Sequence, residues 1–388
     1  MNMKEYLNEQ FITTFQANPE KYFSCGGRFE VLGNHTDHNH GLCIAATCDL
    51  EIGAAVVKRN DLTIRLLSEG FGYSELDLTS LEPVEDEQGK PASMVRGVIK
   101  YLSNDFKYGG FDIYLKCNIP TGAGVSSSAA FELIIAEIIS DLFNNNQIPD
   151  MTLCKAGQFA ERNYYGKKCG LLDQIGVSAG GLVFIDFEDI SNPFVETIHH
   201  PFVGYQFMIL NTGTSHEDMS DLYDSIPQDM YKVSDYFKKP YLRDVNYLDF
   251  FANKKDVIEK CGELAYNRAE HFFKENERVQ QAHEAINNND IKKLIKLMNE
   301  SRESSTKLLQ NMYVDKKKGS PLEACELIMK ASNKKAGVKI NGGGFAGSVI
   351  ALIPEEELNN VVKAAKEKYG KDNIYLVNVR NEKPSEII

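Results

Sequence analysis

Residues 119–134 read IPTGAGVSSSAAFELI: two glycines, three serines and then the start of a long apolar helix. This junction constrains the fold more than any other stretch. Gly122 and Gly124 carry no Cβ, so the backbone there can approach a ligand closely. The helix that follows turns its free N–H groups and the positive end of its dipole towards the same loop, which favours an anion. A serine N-cap after a flexible turn would leave the same letters. Two common phosphate loops are excluded. No lysine follows the glycines as GxxxxGK(S/T) requires, and GxGxxG fails at its third glycine. An anion bound here would rest on main-chain amides, with serine hydroxyls adding hydrogen bonds or a Mg²⁺ ligand.

In both halves of the chain, strands alternate with helices. Short β-type runs crowd the first third, at residues 43–57, 62–68 and 111–119. Helical spacing predicts helices over 93–102, from 127 through AAFELIIAEIISDLF, and over 152–165. Further on, residues 267–286 and 290–301 are amphipathic helix candidates, the second opened by Asp290 at its N-cap. GVKI and SVIALI read as strands on either side of a second glycine cluster, NGGGFAG. EEELNNVVKAAKEKY then reads as a helix and IYLVNV as a last strand. The chain has 388 residues, more than one core usually holds, so an α+β protein of two domains is expected, with its cleft between them. The boundary falls near residue 200, giving 1–200 and 201–388.

Charge and cysteine usage narrow the function classes. A formal charge of −12 argues against general nucleic-acid affinity, and the run 316–318 (KKK) reads as a solvated loop. No stretch reaches the roughly 18 apolar residues of a membrane span, and the first residues lack a secretory pattern. The eight cysteines form no CxxC pair and read as reduced, buried thiols of a cytoplasmic protein.

Two acids stand out in AERNYYGKKCGLLDQIG: Glu161 near the end of a helical run, and Asp173 flanked by apolar residues. An acid in such company is rarely fully buried unless paired, and a helix cap is the simpler reading of either. Beside a phosphate loop, the two supply a Mg²⁺ ligand and a base for an attacking hydroxyl. Residues 26–41, GGRFEVLGNHTDHNHG, gather an arginine, three histidines, an aspartate and two asparagines. His35 and His38 could face one metal, but no third nitrogen or sulfur ligand stands at useful spacing, and hard Mg²⁺ prefers oxygen. A nucleic-acid patch and a sugar-recognition loop are the other readings of the same letters. Asn39 and His40 are read as surface loop residues.

Taken together, these segments resemble the galactokinase branch of the GHMP sugar-kinase superfamily, which also includes homoserine, mevalonate and phosphomevalonate kinases. The stretch from Gly27 resembles that branch's sugar motif, GRxNxIGEHxDYxxG. PTGAGVSSSA is similar to its phosphate loop, AERNYYGKKCGLLDQ to its acid-bearing segment and NGGGFAGSVIAL to its C-terminal glycine motif. RAEHFFKENERVQQAHEAI, followed by LMNES, resembles galactokinases in particular. The resemblance implies a two-domain GHMP-kinase fold with the site in the cleft. It implies ATP and Mg²⁺ as cofactors and phosphorylation of galactose at its anomeric hydroxyl. Asp173 would be the catalytic base or hold the attacking oxygen, with Arg28 beside it. The amides of Gly122, Ala123, Gly124, Val125, Ser126 and Ser127 would cradle the triphosphate, next to Ser128. Ser128 and Glu161 would hold Mg²⁺. Asn34, His35, Asp37, Gly170 and Tyr223 would meet the sugar. A monomer that binds a small sugar and ATP, and neither nucleic acid nor membrane, is the expectation.

The resemblance also breaks in places. Asn34 stands where the branch carries a glutamate that contacts the C6 hydroxyl, and His38 replaces a tyrosine. A carboxylate at position 34 would repel a sugar acid and an amide would not, so a galacturonate or other C6-modified sugar kinase is the alternative. Such a substrate should have an Arg or Lys nearby. A non-catalytic sugar sensor is the second alternative. DSIPQDM replaces an asparagine–arginine pair after Tyr223, KLLQNMYV stands in place of a DDYEVS-like stretch, and Ala346 replaces a glycine.

Overall fold

The β-type runs pair with one another to satisfy their backbone groups, which leaves their apolar faces to be covered by other elements. The computed structural model describes residues 2–120, 122–167, 169–213, 220–314 and 319–387; Thr121 of the glycine-serine loop and the lysine run 316–318 lie outside them. The strands are β1 (Lys21–Leu32), β2 (Leu42–Lys58), β3 (Thr63–Ser68), β4 (Gly72–Asp77), β5 (Phe111–Cys117), β6 (Leu182–Asp186), β7 (Phe194–Ile198), β8 (Tyr205–Asn211), β9 (Gly337–Asn341), β10 (Ser348–Pro354), β11 (Ile374–Val377) and β12 (Ser385–Glu386). One sheet runs β12-β1-β2-β5-β3-β4, with β6 on β2 and β7 on β6. The other runs β11-β8-β10-β9. β12 returns from the far end of the chain to pair with β1, Ser24 opposite Ser385.

The sequence does not announce β1 as a strand, because the Gly26–Gly27 pair in its middle reads as a turn. Its pairing with β2 shifts register between Gly26 and Arg28 and again between Glu30 and Leu32. Such bulges re-aim the side chains beside them. Arg28 and Glu30, two residues apart, share one face, while Phe29 and Val31 are buried in the core on the other.

The helix Ser127–Asn144 is buried almost all round at its start, from Ala129 to Ala136. Behind the sugar-motif turn lies the helix Glu263–Asn287. Its His271 donates through Nε2 to the Asn34 carbonyl at 3.0 Å, and Asn276 Oδ1 accepts from the Leu42 amide at 2.8 Å. The expected helix over 152–165 is two pieces: Asp150–Ala160, then a single π turn, Glu161–Tyr165. Asp290 caps the helix Ile291–Ser304, its side chain accepting from the Lys293 amide at 3.0 Å.

The two sheets meet at β1. Phe29 packs against Phe207 with ring centroids 4.8 Å apart, and Phe207, Ile209, Ile350 and Leu352 belong to the same apolar core as Phe29. Each such side chain contributes about 1.5–3 kcal/mol on burial, so the two walls of the cleft are joined at its base. No described helix is long and apolar enough to cross a membrane. All eight cysteines are free; five are buried, while Cys117, Cys169 and Cys261 are partly exposed.

Candidate active site

Asp173 lies in the first turn of the short helix Leu172–Ser178. Arg28 reaches it across the sheet, Nε and Nη2 donating to Oδ1 at 2.8 and 2.7 Å. Ser126 Oγ donates to Oδ2 at 2.5 Å. Burial pushes this carboxyl up, but the Arg28 charge, the Ser126 hydroxyl and Lys167 outweigh it and hold the acid below its usual range. It is an ionised acceptor at neutral pH.

Ser126 does not act as the helix cap that the simpler reading of the glycine-serine loop expects. It occupies the N-cap position of Ser127–Asn144 but makes no side-chain cap hydrogen bond, and its φ of 54° lies in the left-handed region. That conformation is costly for a residue with a Cβ and is typical of functional sites. The hydroxyl serves Asp173 instead of the helix. The loop carbonyls are turned into the protein: Ala123 O accepts from Ser348 Oγ at 2.9 Å, and Gly124 O from Arg28 Nη1 at 2.8 Å and Asn341 Nδ2 at 3.0 Å. Val125 O accepts the Arg28 amide at 2.9 Å. The amides of Gly124, Val125, Ser126, Ser127 and Ser128 have no partner among the described residues. Unpartnered amides with the carbonyls turned inward are what an anion cradle needs. A Cβ at Gly124, whose φ is +71°, would collide with Ser348 Oγ, so glycine is required there.

Beyond the cradle, Ser128 Oγ donates to Glu161 Oε1 at 2.9 Å, with Lys167 Nζ 2.6 Å from the same oxygen. Glu161 is fully buried in the π turn. Gln174 Nε2 bridges Glu161 Oε2 at 3.2 Å and Glu132 Oε2 at 2.9 Å. Burial, then the Glu161 charge, pushes the Glu132 carboxyl well up and favours its neutral form. Ser128 and Glu161 are hard oxygen donors set side by side, which suits Mg²⁺ completed by phosphate oxygens.

The sugar-motif residues form a chain of directed hydrogen bonds. Asn39 Nδ2 donates to His38 Nδ1 at 3.1 Å, His38 and His35 share a proton between Nε2 and Nδ1 at 3.2 Å, and His35 Nε2 faces Gly343 O at 2.8 Å. Because Gly343 O can only accept, His35 donates there, and the direction of every bond back to Asn39 follows. Burial lowers His35 to about 4 and His38 well below its usual value, consistent with neutral rings. Asn39 is therefore not a surface residue. It is fully buried, and its Oδ1 also accepts the Leu242 amide at 3.0 Å. His40 stacks on Tyr241 at 3.7 Å between centroids.

Asn34 is equally committed. Its Nδ2 donates to Gly342 O at 2.7 Å and lies 3.4 Å from Glu30 Oε1, while its Oδ1 accepts from Asn311 Nδ2 at 2.8 Å. Asn311 comes from KLLQNMYV, the stretch that departs from the resembled pattern. Tyr223, on the helix Ser220–Tyr236, lies across Gly343, where a Cβ would strike its ring. Gly170 abuts the Asp37 carboxylate in the same way.

One cavity of about 770 Å³ is lined by Arg28, Asn34, His35, Asp37, Gly122, Gly124, Val125, Ser126, Ser127, Ser128, Gly170, Asp173 and Tyr223. Of the residues singled out in the sequence, Ala123 and Glu161 do not line it: the first faces the core and the second stands behind Ser128 and Lys167. Glu30 and Lys167 line it as well and were not singled out. Glu30 carried a readable signal, an acid between Phe29 and Val31 in an apolar run, the same signal that marked Asp173.

An amide cradle, an ionised acid and an arginine converging in one cleft define a phosphotransferase for a small hydroxylated molecule. Comparison with known proteins gives the same class. Residues 93–181 match the family described as GHMP kinases N terminal domain, residues 282–371 match GHMP kinases C terminal, and residues 9–58 match the galactokinase galactose-binding signature. A galactokinase of Actinobacillus pleuropneumoniae is 30% identical over 355 residues, 89% of this chain and 88% of the relative. The crystal structure of Lactococcus lactis galactokinase complexed with galactose superposes with a TM-score of 0.85 at 25% identity, covering 100% of both chains. Methanococcus jannaschii mevalonate kinase shares the fold, with a TM-score of 0.62 at 17% identity over 93% of this chain and 98% of that one. The chain belongs to the galactokinase family of the GHMP kinases.

Proposed function

We propose that this chain transfers the γ-phosphoryl group of ATP to the anomeric hydroxyl of galactose, giving galactose 1-phosphate. The observation that carries the reading is the acid Asp173, ion-paired to Arg28 and bonded to Ser126, in the cavity that the cradle amides also line. The free amides of the loop take the triphosphate. Asp173 accepts the hydrogen of the attacking hydroxyl and points its oxygen at phosphorus. A carboxylate held so low is a weak base, which suits a loose transition state in which positioning and charge matter more than early proton removal. Arg28 lies between Asp173 and the loop and offsets charge on the transferring group. Ser128 and Glu161 would hold Mg²⁺, with Lys167 giving way at Oε1. Such an ion would supply positive charge to offset that of the phosphates. On the sugar side, Asp37, Gly170 and Tyr223 face the ring, while Asn34 and His35 shape its walls by holding the second glycine loop.

ADP release with galactose, galacturonate, N-acetylgalactosamine, arabinose and glucose, with and without Mg²⁺, tests this. Galactose should give the highest kcat/KM, and a chelator should abolish turnover. Release with galacturonate alone would overturn the choice of sugar.

Asp37 gives the site a pH dependence. Burial, then the Asp173 and Glu30 charges, raises its carboxyl to about 6. Below that pH it gains a proton and loses an acceptor for the sugar. KM for galactose should therefore climb as pH falls from 7 to 5, with KM for ATP less affected. Asp37→Asn should flatten the profile; a climb of the same size in that variant would assign the titration elsewhere.

A further inference from the structure

Glu30 has no part in the machinery described so far, yet it is the most unusual group in the cavity wall. It is 3% exposed and lines the cavity. Its Oε1 accepts from Lys339 Nζ at 2.7 Å, a lysine with no exposed surface at all, and approaches Asn34 Nδ2 at 3.4 Å. Its Oε2 has no partner among the described residues. A buried carboxylate ordinarily fills both oxygens, since an unmade hydrogen bond there is costly. Here one oxygen is anchored from behind by a dedicated cation and the other is left for something in the cavity.

The cations around the cavity bear on what that ligand is. Arg28 is committed to Asp173, Lys167 to Glu161 and Lys339 to Glu30. Against them, Glu30, Asp37 and Asp173 all present carboxylates to the same space. A sugar acid would meet these charges and find Arg28 and Lys339 already engaged. A neutral polyol offers hydroxyl donors, which are what an unfilled carboxylate oxygen accepts. Asn34 cannot substitute, since both ends of its amide are held by the protein. The acid and the amide stand four residues apart and 3.4 Å from each other.

Resting on the reading of this cleft as a sugar-kinase site, we propose that Glu30 is a substrate-binding residue that selects neutral sugars: its Oε2 accepts a sugar hydroxyl, and its charge turns away sugar acids. Lys339 is its positioning partner.

The test measures KM and kcat for galactose, galacturonate and ATP in the wild type, in Glu30→Gln and in Glu30→Gln/Lys339→Met. The double variant removes both charges, so no uncompensated lysine is left buried if the single variant folds poorly. In at least the double variant, KM for galactose should rise tenfold or more, kcat and KM for ATP should change less than about threefold, and the preference for galactose over galacturonate should shrink. Calorimetric titration of galactose in the absence of ATP should show the same loss of affinity. Unchanged galactose affinity in a folded double variant would make Glu30 merely the counter-ion of Lys339 and overturn the inference while leaving the kinase reading intact. A wild type that works on galacturonate and not on galactose would overturn both.

Discussion

Asp173→Asn is expected to fold, to bind ATP with near wild-type affinity and to turn over about 10³- to 10⁴-fold more slowly. The change is nearly isosteric, so it removes charge and one acceptor while leaving volume alone. Arg28 and Ser126 donate to different oxygens of the carboxylate, and an amide can satisfy only one of them as an acceptor. It also has no negative charge with which to orient a hydroxyl. A coupled ADP-release assay reads the effect in kcat, and nucleotide titration reads the intact cradle. Near-normal turnover would remove Asp173 from the reacting centre. Because its neighbours hold the acid below its usual range, protonation of Asp173 should not limit the wild-type rate between pH 6 and 9.

Arg28→Ala is expected to lower kcat by about 10²- to 10³-fold, the scale of losing one preorganised donor at a developing charge. Unlike the first variant, it should also reduce stability. Arg28 is 6% exposed, and its removal strands Asp173 without a cation and takes one of two donors from the Gly124 carbonyl. Breaking a buried pair in this way costs about 3–5 kcal/mol, which thermal unfolding would register as a clear drop in Tm. Combining the two changes should cost little more activity than the worse single one, since both disable the same unit, and should recover part of the lost stability. A variant that kept kcat and lost only KM would make Arg28 a ground-state binding residue.

Much of the scaffold was legible because local physics fixes it. The apolar spacing after Ser127, the β-branched runs of β2 and β10, and the Asp290 cap all report short-range preferences. β1 was not legible, because the Gly26–Gly27 pair reads as a turn and splits the strand in two. The Arg28–Asp173 pair spans 145 positions and entered through resemblance, since nothing in either neighbourhood names its partner. Lys339 was hidden for the opposite reason: in GVKIN it looks like a solvent-facing strand lysine, and only the docking of β9 beside β1 buries it against Glu30. The role of Asn39 was misjudged from composition. A polar turn reads as surface until a second element, here the segment at Leu242, covers it.

Arg28 and Glu30 occupy alternate positions between two register shifts of β1. The pleat then sets their separation at about 7 Å of strand, a distance that rigid backbone geometry fixes. One position addresses the reacting end of the substrate and the other, on the proposal above, its far hydroxyls. The strand thus acts as a gauge: molecules are sorted by how far apart they carry those two groups. Shortening the sugar by a carbon should be penalised here more than inverting a hydroxyl that neither side chain reaches.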